Sequence, residues 1–396
     1  MMIRTQGLVL VEHEFEVPLD HANPGATITV FAREVADPAG LDRPYLVYLQ
    51  GGPGFEAPRP TRHPTSPSWL DTALSRYRVL MLDQRGTGRS TPVEPGATAD
   101  HLTHFRADSI VRDAEVVREA LGVDRWSILG QSFGGFCAMT YLSLAPHSLA
   151  AAYITGGVPP LGRGPDEIYA ATYDRMREAN RRYYDRYPAD RDRVRNLPTG
   201  LTLADGDPLT VRRLRTAGGH LGMDGGAEHL HYLLELPPRS PAFRHDLLQS
   251  LPFARNPLYA VIHEACYADG TATRWSADRV MPQDFRDDET LFTGEHLFPW
   301  MLDEYAALNP FTEAANQLAD HEWPALYDPE VLRRNEVPVA ASVYVDDPFV
   351  TSGFSMETVA QVRGMRAWLT NEYLHNGLRV DGDRVLGHLM DLADGR

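Results

Sequence analysis

Apolar positions recur along this chain with two different periods. Over residues 7–17 and 26–35 they partly alternate with polar ones, the pattern of half-buried strands. Between these stretches lies His21-Ala22-Asn23-Pro24-Gly25, a turn signal, so the two predict an antiparallel strand pair at a sheet edge. Short, largely apolar runs at 45–49, 78–82 and 151–155 read as strands. A helical pattern fills 104–121, with Ile110, Val111, Ala114, Val117, Ala120 and Leu121 three and four positions apart. Ser127-Ile128-Leu129 is a further strand that runs into Gly130-Gln131-Ser132-Phe133-Gly134-Gly135, and an apolar segment without a breaker follows as a helix. Strands alternating with helices predict an α/β fold whose mostly parallel sheet is covered on both faces.

Near Pro159-Pro160 the texture changes. From about 160 to 335 the chain is rich in Arg, Tyr, Asp and Pro, and segments such as 166–186 and the stretch around Leu230 to Leu236 look helical. At 338–345 an apolar strand pattern resumes, followed by a short strand at 367–370 and an amphipathic helix carrying Val385, Leu386, Leu389, Met390 and Leu392. The expected organisation is a core in two parts, 1–159 and 336–396, interrupted by a helical cap insertion over 160–335.

A hydrophobic content of 43% in 396 residues is ample for a folded core, and a formal charge of −16 disfavours nucleic acid and anionic membranes as partners. Cys137 and Cys266 are the only cysteines, too few for a thiolate zinc site or a disulfide framework, and Cys137 reads as a small buried hydrophobe. The first residues lack a basic region followed by an apolar run, and no apolar stretch approaches the ~18–20 residues of a membrane span. These features lead us to expect a cytoplasmic protein without a signal peptide.

The chemistry starts from Gly130-Gln131-Ser132-Phe133-Gly134. A Gly-x-Ser-x-Gly between a strand and a helix places the serine on a tight elbow with its hydroxyl exposed. A serine hydroxyl needs a general base within hydrogen-bond reach and a carboxylate to orient that base. In this arrangement the chain order is nucleophile, acid, histidine. Of 15 histidines only His375 and His388 follow the resumed sheet. His388 falls inside the last amphipathic helix, whereas His375 lies in a turn-rich loop just past a strand, which makes His375 the expected base. Asp346-Asp347-Pro348 follows the preceding strand, and either aspartate satisfies the requirement for the acid. The oxyanion that develops on attack needs two fixed N–H donors. Phe133, directly after the nucleophile, supplies one, and Gly52 of Gly51-Gly52-Pro53-Gly54 is the expected source of the other.

Asp83-Gln84-Arg85-Gly86-Thr87-Gly88-Arg89-Ser90 fits neither phosphate-binding glycine pattern, so it reads as a structural loop anchored by Asp83, with Arg85 tying neighbouring segments together. His229-Leu230-His231 lacks the spacing of a helical zinc pair. No metal and no cofactor are implied.

The succession of Gly51-Gly52-Pro53-Gly54, the Asp83–Ser90 loop, Gly130-Gln131-Ser132-Phe133-Gly134-Gly135, a strand ending in Asp and a late His resembles the proline iminopeptidases (prolyl aminopeptidases) of the α/β-hydrolase superfamily. The resemblance spans about residues 5 to 395. It implies an α/β-hydrolase fold, aligns Asp347 as the triad acid, and implies cap glutamates that hold the free amine of a peptide with N-terminal proline. The matching region makes Glu264 the first candidate and Glu295 the second, with Tyr267, Phe298 and Trp300 as possible walls of a pocket for the pyrrolidine ring. Three positions depart from the family pattern: Gln50 stands where His is frequent, Phe133 where Trp is common, and His375 is followed by Asn-Gly. The first two border the acyl pocket and bear on the residue preferred there. The expected activity is therefore a serine aminopeptidase acting on short peptides with a free N-terminal proline. The alternatives are an esterase, lactonase or amide hydrolase without amine recognition, and a non-catalytic binding protein on the same scaffold.

Overall fold

The computed structural model describes residues 2–5 and 7–396. Three strands open the chain, β1 (Met2–Thr5), β2 (Leu8–Pro18) and β3 (Thr27–Ala36), followed by β4 (Tyr45–Leu49) and β5 (Arg78–Asp83). Next come β6 (Trp126–Gln131), β7 (Leu149–Thr155), β8 (Val339–Tyr344) and β9 (Met365–Thr370). The described residues join these into one nine-stranded sheet in the order β1-β2-β3-β5-β4-β6-β7-β8-β9. The expected hairpin is present: β2 and β3 pair antiparallel from Pro18 opposite Thr27 to Val9 opposite Ala36. Its turn is held by Asp20, whose carboxylate accepts from the Ala22 amide at 2.8 Å and the Asn23 side chain at 2.9 Å. The pair is not quite the edge, because β1 adds outside β2.

From β5 onward every pairing is parallel. Parallel strands covered on both faces should be apolar throughout, and β4, β6 and β8 are buried at every position. The side chains still alternate between two cores. Val47 and Leu49 face one, with α2 (Ala107–Ala120) and α3 (Phe133–Leu144), while Leu46 and Tyr48 face the other, with α1 (Leu70–Arg76) and the C-terminal helix. The 104–121 pattern resolves into a 3-10 turn over Thr103–Phe105 and then α2, because Arg106 between them is extended.

Between β7 and β8 the chain adds no strand to the main sheet. It runs through α4 (Pro165–Arg186) and α5 (Gly226–Glu235) among shorter helices, with one two-stranded ribbon over Leu201–Thr202 and Pro208–Leu209 that the sequence pattern does not reveal. In α4, Ile168, Tyr169, Tyr173, Met176, Tyr183 and Tyr184 turn inward at helical spacing, with charged residues on the opposite face. They join the core on the α2–α3 side of the sheet. The last helix, α6 (Gly382–Ala393), buries Val385, Leu386, Leu389 and Met390 as its spacing requires, and His388 stays exposed against Trp368. Cys137 and Cys266 are buried and free. Among the described residues no helix is long and apolar enough to cross a membrane.

The Asp83–Ser90 loop is structural in its contacts. Asp83 accepts from the backbone amides of Ala57 at 3.1 Å and Arg89 at 2.9 Å. Arg85 is fully buried. It pairs with Asp113 of α2 and donates to the carbonyls of Leu19 at 2.8 Å, Pro18 at 3.0 Å and His104 at 2.6 Å. One guanidinium thus ties the hairpin, the β5 loop and α2 together. Removing one partner of such a pair strands the other charge in the core, which typically costs about 3–5 kcal/mol. We expect Arg85→Ala to lower the urea unfolding free energy by about that much; a change within experimental error would contradict this role for Arg85.

Candidate active site

Ser132 sits between β6 and α3 with φ 55° and ψ −124°, a left-handed conformation that a serine adopts only under constraint. Two backbone bonds impose it: the Ser132 amide donates to the Thr155 carbonyl at 3.0 Å, and the Gly135 amide donates to the Ser132 carbonyl at 2.7 Å. The flanking glycines allow the turn to close. A Cβ on Gly130 would lie 2.2 Å from the Gly134 carbonyl oxygen, and one on Gly134 would lie 1.9 Å from the Leu49 carbonyl oxygen. Any side chain at either position would push strand and helix apart.

His375 arrives from the loop after β9. Its Nε2 lies 2.8 Å from Ser132 Oγ, and its Nδ1 lies 2.6 Å from Asp347 Oδ2. The tautomer that satisfies both contacts carries its proton on Nδ1, leaving Nε2 to accept from the serine hydroxyl. The other Asp347 oxygen accepts from the amides of Phe349 at 2.8 Å and Val350 at 3.0 Å, so the carboxylate is fixed from both sides. The sequence left two aspartates open, and the geometry separates them. Asp346 points away, pairing with Arg182 of α4 at 2.9 Å near the surface. Burial opposes a charge on the His375 imidazole, but the Asp347 carboxylate outweighs it and holds the pKa above the ordinary 6.5.

The Ser132–His375 pair opens into a cavity of about 440 Å³, of the size that takes a small ligand. Gln50, Gly51 and Gly52 form one side, with Gly52 at φ 131°, a conformation natural to glycine. Phe133 is the first residue of α3, so its N–H has no carbonyl one turn back to bond. Phe55, Phe253 and Tyr259 supply aromatic surface, and Glu295 contributes the one carboxylate among the lining residues. Burial pushes the Glu295 pKa up; His375 opposes the shift and Asp347 adds to it.

The two candidate glutamates have different surroundings, and of the two only Glu295 lines this cavity. Glu264 does not line this cavity. Its two oxygens accept from the amides of Ser276 at 3.1 Å and Ala277 at 2.9 Å, and burial raises its pKa to about 7. It borders a separate small pocket beside Thr273 and Trp275. Tyr267 also lies off the cavity, packed edge-on against Phe136, Tyr169 and His263, while Phe298 and Trp300 stack on each other. Sequence reading missed Phe55, Phe253, Tyr259, His220 and Arg379 as lining residues. Of these, Phe55 directly follows Gly51-Gly52-Pro53-Gly54 and Arg379 lies four positions past His375, so their place beside those motifs was the usable signal.

A sequence model of the alpha/beta hydrolase fold matches residues 44–300. The chain is 46% identical to a proline iminopeptidase of Aeromonas sobria over 98% of this chain and 97% of that protein. It is 33% identical to proline iminopeptidase aneH of Aspergillus aculeatus over 97% and 94% of the two chains. The chain belongs to the proline iminopeptidase family of α/β hydrolases.

Within this family member, the hydrogen-bonded order Ser132–His375–Asp347 generates a direct test that needs no substrate. Labelling of Ser132 by a fluorophosphonate requires a neutral imidazole. The rate should therefore be low at acid pH and rise as pH passes through a His375 pKa lying above 6.5. Asp347→Asn should slow labelling by on the order of 10⁴-fold, whereas Asp346→Asn should stay close to wild type. Equal losses in the two variants would refute the assignment of Asp347.

Proposed function

We propose that this protein is a serine aminopeptidase that releases N-terminal proline from short peptides through an acyl-enzyme. Two of its relatives, similar over nearly their whole length, are proline iminopeptidases. The observation that carries the reading on this chain is the half-buried Glu295 carboxylate lining the same cavity as Ser132 and His375.

In this reading Ser132 Oγ attacks the prolyl carbonyl carbon while its proton passes to His375 Nε2. Asp347 holds the imidazole through Nδ1 and stabilises the imidazolium. The negative charge on the former carbonyl oxygen is met by the N–H groups of Phe133 and Gly52. The C–N bond then breaks, and His375 returns the proton to the leaving amine. Water attacks the prolyl ester with His375 again accepting the proton, and proline leaves as Ser132 is restored. Glu295 receives the secondary ammonium of the substrate. It must be ionised to do so, and a bound cation lowers its raised pKa toward that state. A charge-assisted bond of this kind distinguishes a free amine from a blocked one.

The test compares proline anilide with its N-acetylated twin. Rapid release from the free amine alone, lost in Ser132→Ala, is the expected result; equal turnover of both would leave a hydrolase without amine recognition. Glu295→Gln should reduce kcat/KM for proline anilide by about 10–100-fold, the equivalent of roughly 1.5–3 kcal/mol for a bond to a charged group. Glu264→Gln should instead act on stability, through the amides of Ser276 and Ala277, with little change in KM.

A further inference from the structure

The charged groups that line the catalytic cavity are few and of opposite sign. Glu295 is the lining carboxylate, and Arg379 is the lining guanidinium. Arg379 belongs to the short helical turn Gly377–Val380, which follows His375 directly. The turn is held firmly: Leu378 is buried, its carbonyl accepts from Ser68 Oγ at 3.0 Å, and the Arg379 amide donates to the Asn376 carbonyl at 2.8 Å. The side chain itself is exposed, and among the described residues it makes no ion pair or hydrogen bond. The acids nearest in sequence are engaged elsewhere. Asp381 accepts from the Tyr373 hydroxyl at 2.6 Å, Asp383 from the Thr72 hydroxyl at 2.7 Å, and Glu372 pairs with Arg384. In a chain with a formal charge of −16, an exposed arginine that lines the reaction cavity and forms no ion pair among the described residues is conspicuous.

We infer that Arg379 is a specificity residue that binds the C-terminal carboxylate of a short peptide substrate. The inference rests on the aminopeptidase reading and extends it to the other end of the substrate. A free dipeptide or tripeptide carries an ammonium at one end and a carboxylate at the other. The cavity that Ser132 and His375 line offers one group for each. Arg379 is near enough for its charge to disfavour protonation of both Glu295 and His375. The planar guanidinium suits two parallel bonds to a carboxylate, which an amide cannot replace. The cavity volume of about 440 Å³ suits such a small peptide.

The experiment compares kcat/KM for Pro-Ala with that for Pro-Ala amide, in the wild-type protein and in Arg379→Gln, with proline anilide measured alongside. The wild type should favour the free acid by about tenfold or more, mainly through KM. Arg379→Gln should bring the acid-to-amide ratio close to one, and Arg379→Lys should restore part of it. Equal turnover of acid and amide by the wild type would overturn the proposal, as would a ratio unchanged in Arg379→Gln. A parallel fall for acid, amide and anilide would also overturn it, by marking Arg379 as structural. Failure of the wild type to cleave proline anilide at all would instead refute the aminopeptidase reading, so the two failures are distinguishable.

Discussion

The site depends on how closely β6 and α3 approach each other at Gly130 and Gly134. The absent side chains let the chain reverse so tightly that Ser132 is forced to φ 55°. The strain is maintained by β7, through the Thr155 carbonyl, and by the first turn of α3. The same turn leaves the Phe133 N–H free at the start of the helix and brings the β4 loop close: a Cβ on Gly51 would lie 3.0 Å from Ser132 Cβ. The Ser132 conformation, the free Phe133 N–H and the close approach of the Gly51 loop are therefore consequences of one backbone constraint.

The histidine is positioned by a different device. Its loop is clamped by the segment inserted between β7 and β8. The His375 amide donates to the Gly222 carbonyl at 3.0 Å, the Leu374 amide donates to Asp224 at 3.0 Å, and the Asp224 amide donates to the Asn376 side chain at 2.8 Å. The inserted segment thus contributes walls to the cavity and also fixes the backbone around His375. A site made of residues from the ends of β6, β8 and β9 is held in register by a segment that belongs to none of them.

Electrostatics divides the buried carboxylates into distinct tasks. Asp347 is saturated by two amides and the imidazole. Glu264 is saturated by two amides and faces no reacting group. Glu295 keeps part of its surface open to the cavity. Burial pushes its pKa up, with the Tyr259 hydroxyl among the groups that oppose the shift, so its ionisation responds to any charge brought into the cavity.

The sequence by itself determined the alternation of strands and helices, the interruption from about 160, the Ser132 elbow, and the choice of His375 over thirteen earlier histidines and His388. These are local or ordered signals: apolar period, glycine spacing and position along the chain. The functions of Asp83 and Arg85 in tying the loop were legible for the same reason, since buried charge in a glycine-rich loop needs partners. Only the tertiary structure decided between Asp346 and Asp347, because adjacent residues in a turn point in opposite directions and the sequence does not record which meets the imidazole. Only it separated Glu295 from Glu264, since the difference lies in whether backbone amides from residues 276 and 277 already occupy the carboxylate. The aromatic lining followed the same rule: Tyr267 and Tyr259 are one short helical stretch apart, and which of them faced the cavity depended on packing against Phe136 and Tyr169 that no local pattern encodes.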